Sequence, residues 1–341
     1  MKPSFHHRLI NGPSGDPVLL VSPWREKRKL LFDIGDISAM SAGDKTGTTD
    51  VFVSHLHIDH FIGFDALLRA ILRRAIPLSV YGPSPIIRAV EHRIAGFTWN
   101  LIREYPVSID VFEYTGRRLL HASFSAKSGM RKVMRRSSGC NGVLLETPHF
   151  QVRTVRLDHG IPCLAFLVEE KLRITIDKAC LSRMGLPVGP WLAELKKRLR
   201  EPGGLTRSMT IRGKRYSVKE LASVARTGDG MKIGYATDLA PTGRNIRKLV
   251  ELVRGADVLY CEAAFLEEDR KQAVSRNHLT ALDCGILARE AGVSNIVPIH
   301  FSPRYKGRED ELRAEVRKGF MSVNADSFFT KKSVPLVKKL P

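Results

Sequence analysis

Short apolar runs alternate with amphipathic segments along this chain, and that rhythm restricts it to a layered α/β architecture. The segments beginning at Phe64 and Ile246 carry apolar residues at helical spacing. Strands are predicted over residues 30–32, 51–53, 78–81, 107–112, 152–155, 164–168, 233–236, 258–260 and 296–299. Several of these runs end just before a histidine or an aspartate, so the folded sheets should gather such side chains along one edge.

Composition limits the class of protein. The chain has 341 residues with an apolar share of 43%, and no apolar run approaches the roughly 20 residues that a membrane span needs. The first residues lack the apolar core of a secretory signal. Five scattered cysteines form no paired framework. We therefore expect a soluble protein of a reducing cytoplasm, with no membrane partner.

The charge of the chain is strongly positive. Lysine and arginine number 55 against 35 aspartate and glutamate residues, which gives a formal net charge of +20. Such an excess attracts polyanions, and phosphate contacts release the counterions of a nucleic acid. Solubility alone is the alternative explanation. Because the basic residues also cluster, we favour a nucleic acid as the partner.

One region departs from the α/β rhythm and is predicted to be an arm inserted at residues 177–230 of a single domain spanning 1–341. It contains a turn-rich stretch, 185–190, followed by a basic amphipathic stretch, 191–200. Ser217 and Glu220 are spaced to form a capping box for a short helix over 218–225. The basic stretch from Lys127 to Arg136 is interpreted as a mobile loop.

The segment His55-Leu56-His57-Ile58-Asp59-His60 follows the apolar run 51–53 and holds three imidazoles and a carboxylate within six residues. These are ligand types that suit zinc. Because alternate side chains of a strand share a face, we expect His55 and His57 to point the same way, with a turn bringing Asp59 and His60 alongside. A chance cluster on a polar turn is the alternative.

Three further candidate ligands stand where predicted strands end. They are His159 in Asp158-His159-Gly160, Asp238 after Tyr235-Ala236-Thr237, and His300 after Pro298-Ile299. Singly, each has a simpler explanation as a satisfied polar group or a cap. Two metal ions held by protein need about seven ligands with one of them shared, and these three complete that number.

Together and in this order, the motifs resemble the metallo-β-lactamase superfamily and, within it, the ribonuclease Z family. The matching segments are Leu31-Phe32-Asp33-Ile34-Gly35, His55 to His60, Asp158-His159-Gly160-Ile161-Pro162, Ala236-Thr237-Asp238 and His300-Phe301-Ser302-Pro303-Arg304-Tyr305. Two matches point to the tRNA-processing branch: Glu262 in Cys261-Glu262-Ala263-Ala264-Phe265, and His278 sixteen residues later. The inserted arm, with its glycines and prolines, resembles the family's exosite. The resemblance implies an αββα sandwich.

The resemblance also implies a set of roles. One zinc ion would take His55, His57 and His159, the other Asp59, His60 and His300, and Asp238 would bridge them; manganese or iron are alternative metals. Asp59 would orient or deprotonate the attacking water. His278, held by Glu262, would protonate the leaving ribose oxygen, and Asp33 would fix a ligand imidazole. Substrate binding falls to Arg304 and to four cations of the arm: Lys196, Lys197, Arg198 and Arg200.

Three functions follow from these observations. The first is a zinc-dependent endoribonuclease that cuts precursor tRNA, or another RNA, near its 3′ end and works as a homodimer. The second is a hydrolase of a small phosphodiester or ester, in which the basic arm serves only assembly. The third is an RNA-binding relic without turnover, which the seven metal-competent residues argue against.

Overall fold

The computed structural model describes residues 4–322 except residues 25, 172 and 202. The strands are β1 (Phe5–Leu9), β2 (Leu19–Pro23), β3 (Leu30–Phe32), β4 (Asp50–Phe52), β5 (Leu78–Pro83), β6 (Ser108–Tyr114), β7 (Arg118–Ser125), β8 (Val133–Met134), β9 (Ser138–Gly139), β10 (Val143–Glu146), β11 (Phe150–Asp158), β12 (Pro162–Glu170), β13 (Arg173–Ile176), β14 (Ser208–Ile211), β15 (Lys214–Ser217), β16 (Ala225–Gly228), β17 (Lys232–Ala236), β18 (Val258–Glu262) and β19 (Ile296–Ile299). The helices are α1 (Ala42–Gly47), α2 (Ile58–Phe61), α3 (Phe64–Ile71), α4 (Ile86–Ala95), α5 (Lys178–Arg183), α6 (Trp191–Arg200), α7 (Val218–Leu221), α8 (Gly243–Val253), α9 (Arg270–Ser275), α10 (Ala281–Glu290) and α11 (Glu309–Met321).

Two sheets form the frame of the larger of two compact units, to which the described residues within 1–147, 151–169 and 231–341 belong. The first sheet runs in the order β1 to β8, with β9 paired to β7. Its central strands β3, β4, β5 and β6 are parallel. The second sheet has the order β10-β11-β12-β17-β18-β19, and β17, β18 and β19 are parallel. The carboxyl ends of each parallel set therefore share one edge of their sheet.

Helices cover one face of each sheet. The apolar faces of α3 and α4 pack with Val51, Val80 and Val111 of the first sheet in one core cluster. The helices α8, α10 and α11 pack with Leu259 and Ala236 of the second sheet in another. The strands of both sheets are buried because each also faces the other sheet.

Aromatic side chains fill the space between the two sheets. The ring centroids of Phe32 and Phe52 lie 5.0 Å apart, and Phe166 of the second sheet lies 5.6 Å from Phe32 and 5.8 Å from Phe52. The ring of Tyr235 lies 5.8 Å from that of Phe32. The layers thus follow in the order helix, sheet, sheet, helix, which confirms the expected αββα sandwich.

A second compact unit comprises residues 148–150 and 170–230 and has a core of its own. The predicted arm, residues 177–230, lies within it. Strands β13 and β16 pair, as do β14 and β15. Buried residues such as Leu181, Leu195 and Leu221 form its core cluster. The capping box of Ser217 and Glu220 is present, and the helix it starts, α7, ends at Leu221 and is followed by a 3₁₀ turn over Ala222–Val224.

Two local expectations were wrong. The stretch from Lys127 to Arg136 is not a plain loop, because it contains β8, whose Val133 and Met134 pair with Ser123 and Ala122 of β7. Its basic composition gave no sign of a strand, because a strand at the edge of a sheet is partly exposed to solvent and can carry charged residues. The other concerns the first histidine motif: β4 ends at Phe52, so His55 and His57 do not stand in a strand.

Candidate metal centre

The first histidine motif lies in the loop after β4 and in the helix α2. His55 and His60 are fully buried, whereas His57, the residue before α2, is exposed. The rings of His55 and His57 are 4.4 Å apart and those of His55 and His60 4.1 Å apart. Although the strand alternation does not apply, the tight turn into α2 brings the imidazoles together.

The other candidate ligands come from the second sheet. His159 follows β11, Asp238 follows β17 by one residue and His300 follows β19 directly. The ring of His159 lies 5.3 Å from the rings of both His55 and His57. The ring of His300 lies 5.3 Å from that of His60. Side chains separated by up to about 240 positions in the chain therefore meet where the two sheets end.

Asp238 stands at the centre of this cluster. Its carboxylate is fully buried, with Oδ2 2.7 Å from Nε2 of His60 and 3.2 Å from Nε2 of His55. Its other oxygen, Oδ1, lies 3.0 Å from Nδ1 of His300. One carboxylate thus reaches histidines on both sides, as a shared ligand of two ions must.

The ligand atoms fall into two groups within which all of them lie within 4.8 Å of one another. One group has His55, His57, His159 and Asp238, and the other has Asp59, His60 and His300. A further group of the same compactness combines Asp238, His300, Glu262 and His278. Apart from Asp238, which stands only in the first of them, these two groups contain the same residues as the two ligand sets that the family resemblance implies.

The buried donors fit a cation. Within the described part of the chain, four buried atoms of this cluster form no hydrogen bond of acceptable geometry, although the three nitrogens among them lie 2.7–3.2 Å from the Asp238 carboxylate: Nε2 of His55, Nε2 of His60, Nδ1 of His300 and Oδ1 of Asp238. Buried polar atoms normally have partners, so a convergent set of lone-pair donors without them indicates an ion. Imidazole and carboxylate donors suit zinc, and also manganese or iron. The residues therefore support metal binding.

The electrostatics of the cluster favour positive charge at its centre. Burial, together with the neighbouring His60, lowers the pKa of His55 to about 2, so this imidazole is the neutral form that metals bind. Burial also acts against a charged His300, but the carboxylates of Asp238 and Asp59 raise its pKa to about 10. Burial alone would raise the pKa of the Asp238 carboxylate. The neighbouring His300 and His60 instead hold this pKa well below its usual value.

Three residues of the centre have left-handed backbone conformations. The φ angles are +56° at Asp33, +49° at Asp238 and +59° at His300. Each residue directly follows, or nearly follows, a strand of one of the parallel sets. A non-glycine residue in this region costs on the order of 1–3 kcal/mol and tends to occur at functional sites.

Hydrogen bonds outside the cluster orient the imidazoles. Asp33 is fully buried, and its Oδ2 lies 2.8 Å from Nδ1 of His60, which leaves Nε2 of that ring facing Asp238. The Nδ1 atom of His159 lies 2.9 Å from the carbonyl oxygen of Asn277 and donates to it. Partners of this kind fix the tautomer and the orientation of metal ligands.

His278 lies beside the cluster on a buried carboxylate. Its Nδ1 is 2.7 Å from Oε2 of Glu262 and 3.3 Å from Oδ1 of Asp238. Burial lowers the pKa of His278, but the Glu262 carboxylate outweighs it and raises the pKa above its usual value. Glu262 also accepts a 2.7 Å hydrogen bond from the backbone N–H of Leu239, so it braces the segment that carries Asp238.

The candidate substrate-binding cations differ in their surroundings, and several of them bind other groups of the protein. Arg304 lies over the ring of Phe265 at 5.6 Å and pairs with Asp269 at 3.4 Å. In α6, Arg198 donates to Glu194 at 2.8 Å and to the carbonyl of Ser208 at 2.6 Å. Arg200 donates to the carbonyl oxygen of Lys196, and Lys197 is exposed. Both of these partners of Arg198 belong to the smaller unit, so this side chain contributes to the structure of that unit.

Sequence reasoning missed several residues that support the centre. Ser54 donates through Oγ to Asp33, and so does the hydroxyl of Tyr235, both at 2.8 Å. Asn245, which is 1% exposed, bonds the backbone of Asp158, directly before His159, and of Ala240, two residues after Asp238. The only signal in the sequence was an asparagine among the apolar positions of α8, and a serine directly before His55.

Comparison with known proteins identifies the family. No family model matches the chain. Ribonuclease Z from Deinococcus radiodurans is 30% identical over 321 residues, which cover 91% of this chain and 93% of that protein. The chain belongs to the ribonuclease Z family. Ribonuclease Z from Nitrosopumilus maritimus is 28% identical over 298 residues, 85% of each chain.

Solved structures share the fold. A metallo-β-lactamase fold protein from Bacillus subtilis matches with a TM-score of 0.55 and 15% identity over 93% of each chain. The short form of human tRNase Z matches with a TM-score of 0.52 and 18% identity, over 88% of this chain and 93% of that one. This ribonuclease Z family member therefore has the metallo-β-lactamase fold. In the portion of the chain that the structure describes, no helix has the length and apolar character to cross a membrane.

Proposed function

We propose that this chain binds two zinc ions and hydrolyses a phosphodiester near the 3′ end of precursor tRNA. As a member of the ribonuclease Z family, the chain is a hydrolytic endoribonuclease. The observation that carries the metal assignment is Asp238, whose two oxygens face His55 and His60 on one side and His300 on the other. A buried carboxylate with histidines on both sides is the arrangement that a dinuclear site requires.

The ligand sets follow from the two compact groups. His55, His57 and His159 would hold one zinc ion, Asp59, His60 and His300 the other, and Asp238 both. When bound, two such ions lower the pKa of water and neutralise charge that develops on the phosphoryl group. Manganese or iron would occupy the same donors.

Two groups of the chain would move protons. Asp59 is half-buried and lies 3.3 Å from both His60 and His300, which supports a role for its carboxylate in orienting the attacking water or accepting a proton from it. His278 keeps its Nδ1 on Glu262, which leaves Nε2 to protonate the departing ribose oxygen. A 3′-oxygen leaves slowly unless it is protonated, which gives this histidine its role as general acid.

The positive charge of the chain supports an RNA substrate. A formal charge of +20 favours a polyanion, and the exposed cations of the smaller unit, Lys197 among them, would contact the phosphates of tRNA. Arg304, whose side chain is 37% exposed, would also contact the substrate. All five cysteines are free thiols, which supports the cytoplasm as the compartment.

A homodimer is the proposed assembly. The residues Leu68, Leu72, Phe97 and Trp99 line a groove of about 400 Å³. Of the apolar side chains in this region, Phe97 is 46% exposed and Leu101 is 78% exposed. Exposed apolar groups of this size often mark a protein interface. Light scattering on the purified protein tests the dimer: twice the chain mass supports it, and the mass of a single chain contradicts it.

One experiment tests the function. Purified protein is incubated with a 5′-labelled precursor tRNA and, separately, with bis-p-nitrophenyl phosphate. Cleavage of the precursor at a single position near its mature 3′ end is expected. Hydrolysis of the small diester alone would show a small-molecule hydrolase, and RNA binding without cleavage of either substrate would show a relic.

A further inference from the structure

A groove of about 590 Å³ lies beside the turn that carries His159. Its lining includes Asp158 and Gly160, the two neighbours of His159, together with Arg244 and Lys248 from the first turns of α8. The volume is within the range of pockets that hold small ligands, about 300–1,000 Å³. The groove therefore begins one residue away from a candidate metal ligand.

The charge of the groove is positive. Arg156, Arg244 and Lys248 line it, and all three are exposed. The one carboxylate of the lining is Asp158, whose Oδ1 accepts a 2.8 Å hydrogen bond from the backbone N–H of Gly160. Lys248 reaches across, with Nζ 2.8 Å from the carbonyl oxygen of Arg156. Three cations against one carboxylate favour an anionic ligand.

The base of the groove is joined to the metal centre through Asn245. Its Nδ2 donates to the carbonyl of Asp158 at 2.7 Å and to the carbonyl of Ala240 at 2.9 Å. Its Oδ1 accepts from the backbone N–H of Asp158 at 3.1 Å. One buried side chain thus fixes the turn before His159 against the segment after Asp238. A phosphate held by Arg244 and Lys248 would keep a constant distance from the centre.

We propose that this groove binds the backbone phosphates of single-stranded RNA next to the bond that is cut. The proposal rests on the function proposed above. Lysine and arginine side chains along a narrow groove are how proteins follow a single strand without reading its sequence. A groove of about 590 Å³ is too small to enclose a duplex, so a single strand is the form of RNA that fits it.

A pair of matched variants tests the proposal. Arg244→Glu with Lys248→Glu reverses two charges in the groove, and Arg247→Glu with Arg254→Glu makes the same change on exposed residues of the same helix region outside its lining. The probe is a fluorescent single-stranded oligoribonucleotide, and binding is followed by anisotropy over a range of salt concentrations. The groove variant should bind roughly tenfold or more weakly. Its salt slope should fall by about 1.4, since each phosphate contact on a single strand contributes about 0.7.

Two controls keep the result interpretable. Metal content and hydrolysis of bis-p-nitrophenyl phosphate, which has no flanking phosphate, should be the same for both variants and the unmodified protein. If the glutamates disturb the fold, the neutral pair Arg244→Gln with Lys248→Gln replaces them. This pair should also weaken oligoribonucleotide binding, but by a smaller factor. Equal weakening by the groove pair and the outside pair, or no weakening by either, would overturn the proposal.

The test is separable from that of the proposed function. If the unmodified protein fails to cut precursor tRNA, that function fails, and the anisotropy experiment still reports whether the groove binds RNA. If precursor tRNA is cut normally by the groove variant and its oligonucleotide affinity is unchanged, the groove proposal alone fails.

Discussion

The Oδ2 atom of Asp33 lies 2.8 Å from Nδ1 of His60, and both side chains are fully buried. The same carboxylate accepts hydrogen bonds from the backbone N–H of Ser54 at 2.6 Å and from the hydroxyl of Tyr235 at 2.8 Å. Donors of Ser54 and His60, which follow β4, and of Tyr235 in β17 therefore converge on one carboxylate, which holds His60 with Nε2 toward Asp238. Asp33 is the residue through which the two sheets set the orientation of a ligand.

Replacing Asp33 by asparagine should weaken metal binding by roughly 10- to 100-fold, the usual effect of losing a partner of a ligand histidine. The side-chain amide of asparagine has only one oxygen. Its NH₂ group would therefore face a hydrogen-bond donor in the place of one of the two Asp33 oxygens. The backbone need not change, because asparagine tolerates the left-handed conformation that Asp33 has. Competition with a chromophoric chelator measures the affinity.

The matched control for that variant is Asp110→Asn. Asp110 also binds a histidine, with Oδ1 2.9 Å from Nε2 of His121, but this pair lies on strands β6 and β7 without any of the candidate ligands. Its metal affinity should stay at the level of the unmodified protein. Equal affinity of the Asp33→Asn variant and this control would contradict the role of Asp33.

Substitution of His57 by alanine should remove much of the metal, whereas His92→Ala should not. His57 belongs to the group with His55, His159 and Asp238, so its loss leaves an incomplete ligand set. His92 is an exposed residue of α4. Elemental analysis after dialysis should give close to two zinc ions per chain for the unmodified protein and for His92→Ala. A full complement in His57→Ala would exclude His57 as a ligand.

The sequence predicted nine strands of the two large sheets and missed the others, including β2, most of which is buried. The nine apolar runs all lie in or overlap observed strands. In β3 and β18, which are buried along their whole length, continuous burial leaves a continuous apolar signature. In contrast, β1 alternates buried or half-buried positions with exposed ones, and its polar residues His6 and His7 interrupt the apolar pattern of a strand. The edge strand β8 has no buried residue. Pairing, rather than composition, defines such strands.

The candidate ligands were predictable because each one follows an apolar run, and strand ends are visible in a sequence. Their partners were not, since Tyr235 lies 202 positions from Asp33 and nothing local marks the hydrogen bond between them. Asn245 is a similar case, as its hydrogen bonds with Asp158 exist only when α8 has packed on its sheet. A residue type that can bind a metal is visible in the sequence, whereas hydrogen bonds between distant positions are visible only in the folded structure.

Alanine at His278 should lower kcat on precursor tRNA by roughly 100-fold or more, within the range for the loss of a general acid. An acid that acts only in the transition state should leave substrate binding unaffected. Because Nδ1 lies 3.3 Å from Asp238, metal content must be measured on the same sample. Loss of zinc would make His278 a ligand or a structural residue, and an unchanged rate would remove it from the mechanism.

Alanine at Gly285 should destabilise the fold. The helices α10 and α11 approach closely there, and an added Cβ would lie 2.1 Å from the carbonyl oxygen of Val316 and 2.7 Å from the nitrogen of Phe320. Overpacking against backbone costs typically about 1–3 kcal/mol or more. Urea denaturation should show the loss, while Gly139→Ala, which meets no atom within 4 Å, should change the free energy of unfolding by less than about 0.5 kcal/mol.

The smaller unit calls for charge substitutions rather than a deletion. Removing α6 would take away Leu195, which is fully buried in that unit's core, and Arg198, which binds the carbonyl of Ser208. The double variant Lys196→Gln with Lys197→Gln removes two cations of α6 and keeps these two interactions. If α6 binds tRNA phosphates, the affinity for precursor tRNA should fall.

The salt dependence identifies the cause of that fall. If the two lysines each bind a phosphate of a duplex region, their replacement should lower the slope of log K against log salt by about 1.8, since each phosphate contributes about 0.9. The control pair Lys178→Gln with Lys219→Gln removes two exposed lysines from other helices of the same unit and should leave the slope nearly unchanged. Hydrolysis of bis-p-nitrophenyl phosphate should be normal in both, because that substrate is too small to need remote cations. An equal drop in both pairs would indicate attraction by the overall charge of the chain rather than binding at α6.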